Sequence, residues 1–285
     1  MRINTNIASM TAQESAANVN KNLSSSLEKL SSGLRINKAS DDASGMAIAD
    51  KLRTQASSLG QSIENANSAN ALVQIADKAM AEQSNILDIV KTKLIQAATS
   101  TTSKEGRDAI QKDISKLLTQ MNNIAKQTNY NGINLLQSSP ESSAPTSPIK
   151  FQIGELSSNV IETDGYVQAN ISGLGLTILQ GYTSGDSGQL DATNAKAYLD
   201  NIDLAITVLN SWRSDFGSTQ NQLDSSIRNM MTTQTNIKAA ESVIRDVDYA
   251  AESANFNKQN IIAQAGTYAM SQANAVQQNV MRLLQ

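Results

Sequence analysis

The chain has 285 residues, a formal net charge of -3, and neither cysteine nor histidine. Mild acidity gives no general drive toward nucleic acid or an anionic membrane, and the missing residue types exclude disulfides, thiolate metal sites, cysteine nucleophiles, the usual general base and the commonest zinc ligand. Aromatic residues are 4% of the chain, so the core must be built from Leu, Ile, Val, Met and Ala, which suits helix-on-helix packing more than a compact globule.

An enzyme is not expected on this composition, and neither is a cofactor or metal. The N-terminus, MRINTNIASM, lacks the apolar core of a cleaved secretory signal. No run approaches the roughly 18 apolar residues of a membrane-spanning helix. These rules predict a soluble, cytoplasmic protein unless the chain leaves by a route that reads no cleaved signal. Neither nucleic acid nor membrane is expected as a partner.

Ile3, Ile7, Met10 and Ala17 begin a helical face, and Leu23, Leu27, Leu30 and Leu34 then step by four, three and four as in a coiled-coil seam. The remainder of this segment is rich in Asn and Ser, so the apolar face is narrow and helix propensity middling. Ser31-Ser32-Gly33 interrupts it, with Gly33 suited to a left-handed helix end. Asp41-Asp42 could be an acid/base pair or a metal site; without further ligands nearby, Ser40, Asp41 or Asp42 is expected to cap the next helix.

From Ala43 to Ala98 there is no Pro, and Ile48, Leu52, Leu59, Ile63, Leu72, Ile75, Met80, Leu87, Val90 and Leu94 keep a helical rhythm. A helix of about 55 residues would be about 80 Å long. Thr102 and Glu105 form a capping-box pattern that starts another helix, with Ile110, Ile114, Leu117, Leu118, Met121 and Ile124 on its face. The two should pair antiparallel. Tyr130-Asn131-Gly132-Ile133 reads as a turn. Ser138 to Ser147, with Pro140 and Pro145, reads as a loop. Ile149, Phe151 and Ile153 alternate as a half-buried strand, which Val160 to Thr163 could pair as a hairpin. Glycines at 173, 175, 181, 185 and 188 then punctuate a patch expected to be non-helical and wet.

Helix resumes near Asp191, with Leu199, Ile202, Ile206 and Leu209 on one face, then Trp212 and Phe216, a possible bend at Gly217, and Leu223, Ile227, Met230 and Ile237. A charged break at Arg245 to Tyr249 precedes the tail. There Ile262, Ala265, Ala269, Ala273, Val276, Val280 and Leu283 step by threes and fours among Asn, Gln, Ser and Thr. So thin a stripe buries too little area to hold a lone helix in water. Thin helix, strong helices, small hairpin, strong helix, thin helix: chain ends that meet in one bundle fit this order, and both are expected to be loose in a free monomer.

SSGLRINKASDDASGMAIADKLR (Ser31 to Arg53), QTNYNGINLL (Gln127 to Leu136) and IRDVDYAAESANFNKQNIIAQAGTYAMSQANAVQQNVMRLLQ (Ile244 to Gln285) resemble bacterial flagellin. The resemblance spans roughly Met1 to Leu136 and Asp191 to Gln285, and ILDIVKTK is similar to flagellins of Campylobacter and its relatives. It implies a mainly α, elongated bundle with paired N- and C-terminal coiled-coil helices and a small mid-sequence β-hairpin region. In that scheme 1–42 with 244–285 form the inner tube of a filament, 43–137 with 191–243 a helical rod, and 138–190 a small outward-facing region without a large outer domain.

The resemblance further implies export as an unfolded chain through the flagellar export apparatus and polymerisation into the motility filament. The partners are other copies of the chain, the cap and hook–filament junction proteins, and an export chaperone. Ile3, Ile7, Leu23, Leu27, Leu30, Leu34, Ile262, Ala265, Val276, Val280 and Leu283 are then the polymerisation residues. Two departures stand out. Gln277 occupies a position where the family's tail usually has Pro, so the last helix should run straighter. Ile89, Lys93 and Asp113 replace the Arg, Leu and Glu that flagellins detected by the vertebrate Toll-like receptor carry, which predicts a weak agonist. The alternatives are a hook–filament junction protein, which shares the terminal helices, and a filament acting mainly as an adhesin. A protease-bearing flagellin is set aside because there is neither an HExxH motif nor room for the insert.

Overall fold

A computed structural model of the chain describes residues 5–139, 144–163, 165–183 and 190–283. Ile3, Pro140, Gly185 and Gly188, and the side chains of Val280 and Leu283, lie outside what is described. The elements in order are α1 (Ile7–Ser32), α2 (Ala43–Ala98), α3 (Lys104–Gln127), β1 (Asn129–Tyr130), β2 (Ile133–Asn134), β3 (Lys150–Gln152), β4 (Val160–Glu162), α4 (Thr177–Thr183), α5 (Ala192–Arg245) and α6 (Tyr249–Leu283). The chain is thus mainly helical, with two small antiparallel strand pairs. It forms two compact units, Met1–Ser57 with Gln234–Gln285 and Ser58–Thr233. Their boundaries fall inside α2 and α5, whereas the sequence division was drawn at the connectors.

The second unit owes its core to strict three-four stepping. On α2 Ala66, Ala69, Val73, Ala76, Met80, Gln83, Leu87, Val90, Leu94 and Ala97 form one buried track, and on α5 Ala195, Tyr198, Ile202, Ala205, Leu209, Phe216, Thr219, Leu223 and Met230 belong to another. That spacing keeps one helix face on its partner over many turns. Polar pairs flank the α2–α5 seam: Asn70 donates to Asp224 (2.8 Å), Arg213 to Asp77 (3.0 Å), and Lys91 pairs with Asp203. Within the predicted rhythm of α2, Ile48 and Ile75 turn out to be exposed, because each stands off the buried track. α5 runs unbroken through Gly217, where no bend is needed.

One side chain in this core is out of character. Gln83 is fully buried, and its Nε2 donates to the carbonyls of Met121 (3.1 Å) and Ala169 (2.7 Å). It therefore ties α2 to both α3 and the mid-sequence segment, at the expense of an Oε1 that finds no partner among the described residues.

Local details differ from expectation in two places. Ser103, not Thr102, caps α3: its hydroxyl accepts from Gly106 N at 3.2 Å, while Thr102 donates to Gln96 O and closes the end of α2. The mid-sequence patch is neither wholly irregular nor wet. It contains α4, and Val167, Ala169, Ile171, Leu174, Leu176, Leu179 and Leu190 are buried in the core. The apolar residues between the glycines outweigh the turn signals. The hairpins match the pattern. Asn131 and Gly132 take φ of 50° and 81° in the β1–β2 turn, the left-handed pair such a two-residue turn requires. Phe151 faces Ile161 across β3–β4, with Ile149, Phe151 and Ile153 packed against the core.

Candidate assembly interface

The first unit is built on an antiparallel pairing of α1 and α6. Asn6 caps α1 by accepting from Ser9 N, and its Nδ2 donates to Ala273 O (3.1 Å). Asn255 Nδ2 lies 3.4 Å from Ser26 Oγ at the other end. A track of less exposed positions runs along α1 through Ser9, Ala12, Ala16, Val19, Leu23, Ser26 and Leu30, and another along α6 through Glu252, Phe256, Gln259, Ala263, Gly266, Met270 and Ala273. Both tracks step by threes and fours. Small residues dominate, so the helices approach closely: a Cβ placed on Gly266 would lie 4.0 Å from Ala16 Cβ.

This seam is not the apolar stripe read from the sequence. Leu23 and Leu30 are on it, but Leu27 lies one position off and is 51% exposed. Ile7, Met10 and Ala17 are exposed as well. In the tail, Ala273 is on the seam, whereas Ile262, Ala265, Ala269 and Val276 each lie on its exposed flank, with Val276 53% exposed. The cause is that each helix carries two tracks at helical spacing about 100° apart, and the seam takes the one whose middle holds Ala12, Ala16, Ala263 and Gly266, where the backbones can approach.

The flanking tracks lie on opposite sides of the helix pair. On α1 the positions Met10, Ala17 and Leu27 each follow a seam residue by one; on α6 Ile262, Ala265 and Ala269 each precede one, and Val276 lies seven residues, two turns, beyond Ala269 on the same face. In an antiparallel pair, following on one helix and preceding on the other point to opposite flanks. The hairpin therefore has one apolar flank from α1 and another from α6.

A clasp joins the helices at their base. Gly33 takes φ 74° and its N–H returns to Lys29 O. Leu34, half-buried, bridges Asp246; Arg35 N donates to Arg245 O (2.6 Å) and Val247 N to Gly33 O (3.0 Å). Arg245 also approaches Asp50 (3.6 Å) and Glu241 (3.9 Å). In the connector to α2, Asp41 Oδ2 accepts from Lys38 N (2.9 Å) and Asn37 N (3.1 Å). Those bonds hold its carboxyl below the usual range. Lys38 pairs with Glu28 at 2.7 Å, which raises its ammonium pKa. Asp42 accepts from Gly45 N and caps α2. Both acidic residues of the Asp41-Asp42 pair are thus structural.

Of the receptor-related positions, Ile89 is exposed on α2, and Lys93 Nζ reaches Asp113 Oδ2 at 3.0 Å across α2–α3. Two of the three are thereby brought together, while Ile89 stands apart. No helix among the described residues is long and apolar enough to cross a membrane.

Residues 3–140 match the bacterial flagellin N-terminal helical region, and residues 199–284 the C-terminal helical region. The chain belongs to the bacterial flagellin family. It is 34% identical to the flagellar filament 33 kDa core protein of Treponema phagedenis over 291 residues, covering all of both chains. It is also 34% identical to flagellin of Bacillus subtilis over 307 residues, again covering both chains entirely. It is 30% identical to flagellin B of Helicobacter pylori over 511 aligned positions, covering all of this chain and 99% of that one. A putative flagellar hook-associated protein from Vibrio parahaemolyticus shares the fold, with a TM-score of 0.61, 10% identity, and coverage of 72% of this chain and 99% of that one. This flagellin is accordingly a short-form structural subunit of the extracellular flagellar filament and self-polymerises; the family is structural and not enzymatic.

Proposed function

We propose that the two apolar flanks of the terminal hairpin are the polymerisation surfaces, the α1 flank of one subunit meeting the α6 flank of the next. The placement of the flanks on opposite sides supports this. A surface that meets a different surface on its neighbour can propagate into an open helical polymer when the rotation does not close a ring, whereas a self-matching patch closes a dimer. Ile7, Leu27, Ile262, Ala265 and Val276 then act between subunits. Leu23, Leu30 and Leu34 act within one, and Ile3, Val280 and Leu283 belong to the same terminal segments. The inner tube is formed by 1–42 with 244–285, around which 43–137 with 191–243 form the rod carrying 138–190. Limited proteolysis of monomer against filament tests this: both ends should be cut early in the monomer and protected in the polymer. Ends equally resistant in both states contradict it.

The subunit is exported unfolded, with a chaperone on its apolar flanks until export and the cap and hook–filament junction proteins bounding the filament. Full-length identity with filament flagellins favours the filament role over the junction role. The subunit is also a weak agonist of the vertebrate Toll-like receptor for flagellin. Lys93 is engaged by Asp113, and Ile89 offers no guanidinium fork. A cell reporter assay with purified monomer decides: activation equal to that of a responsive flagellin overturns this reading.

A further inference from the structure

Among the described side chains, Met80, Met121 and Met230 are buried, Met46 and Met270 are half-buried, and Met10 and Met231 are exposed. Met10, 60% exposed, is the one described methionine on the α1 flank. Exposed thioethers are the ones that oxidants reach, and conversion to the sulfoxide turns a flexible apolar group into a polar acceptor. The flank assigned above as its partner is Ile262, Ala265, Ala269 and Val276, whose side chains donate no hydrogen bond. A sulfoxide buried there has lost its water and gained no donor.

We infer that Met10 is an oxidation site that gates assembly: a hydroperoxide or hypohalous acid converts it to the sulfoxide and so withholds the subunit from the filament. A lone pair on Sδ attacks the terminal oxygen of hydrogen peroxide, the O–O bond breaks, and water leaves after proton transfer. Sulfur is oxidised by two electrons and peroxide reduced by two. The inference rests on the flank assignment under Proposed function. It goes beyond that assignment in making polymerisation competence recoverable by a two-electron reductant of the sulfoxide, such as a methionine sulfoxide reductase.

The test uses full-length monomer treated with limiting hydrogen peroxide, peptide mass spectrometry to locate the sulfoxides, and sedimentation to measure the critical concentration. Oxidised wild type should polymerise with a critical concentration raised roughly tenfold, recovering after reductase treatment. Met10→Leu, whatever its own untreated critical concentration, should show the same value with and without peroxide; Met231→Leu should stay sensitive. Met10 should oxidise far more slowly in preformed filaments than in monomer. Unchanged assembly of oxidised wild type, or full sensitivity of Met10→Leu, overturns the inference. Untreated Leu27→Ala separates the two failures. If its critical concentration equals that of wild type, the flank assignment itself is wrong; if it rises while peroxide has no effect, the switch alone is wrong.

Discussion

Leu27 and Leu23 lie four residues apart in one helix, and truncating them should act on different steps, assembly for one and monomer stability for the other. Leu23 packs on the α1–α6 seam, while Leu27 is 51% exposed on the flank. Leu→Ala removes three carbons, roughly 2.4 kcal/mol at about 0.8 kcal/mol for each buried group. With about half of Leu27 already covered within the subunit, assembly accounts for about 1.2 kcal/mol of that total. Leu27→Ala should therefore raise the critical concentration roughly eightfold, with a smaller change in monomer melting. Leu23→Ala removes contacts inside the monomer and should lower its stability by roughly 2 kcal/mol, near the bottom of the core range because the seam is half-exposed. Thermal melts of dilute monomer and sedimentation of polymerised samples measure the two effects. If Leu27→Ala melts like Leu23→Ala and polymerises like wild type, the assignment of inner and outer tracks is refuted.

Gln83→Leu should cost roughly 1–2 kcal/mol in urea unfolding: it loses bonds to the Met121 and Ala169 carbonyls but relieves the orphaned Oε1. A gain in stability would mean that the glutamine is not the tie it looks to be. Gly266→Ala should stabilise the monomer by about 0.5–1 kcal/mol, since the added methyl meets Ala16 at ordinary contact distance and helix propensity improves; a loss in the monomer melt contradicts the seam geometry. Asp41 has a depressed folded pKa, so its contribution is fully present above the unfolded carboxylate pKa and is lost as pH falls through the folded value. The melting difference between wild type and Asp41→Asn should accordingly be widest near neutrality and close on acidification. A difference independent of pH removes Asp41 from the connector's support.

The long elements were legible because their signals are long. α2 and α5 carry the three-four pattern over many turns, and Asn131-Gly132 and Gly33 sit where only left-handed residues serve. The terminal interface was harder. α1 and α6 each hold two apolar tracks, and periodicity marks the larger residues, Leu27, Ile262 and Val276, without saying that Ala16 and Gly266 let the other track close first. Listing the small residues at heptad spacing, Ala12, Ala16, Ala263 and Gly266, would have exposed the second track. In the mid-sequence patch the glycine spacing signals turns, but Val167, Ile171, Leu174 and Leu176 around those glycines bury the segment in the core. Gln83 had no sequence signal at all beyond its place among Met80, Leu87 and Val90 at core spacing.

The central claim is that the terminal hairpin leaves an apolar flank on each side for its neighbours to cover. Amide hydrogen exchange at Leu27 and Val276, compared between monomer below the critical concentration and assembled filament, tests it most directly. Strong slowing at both positions on assembly is the predicted result. Equal protection before and after filaments grow would contradict it.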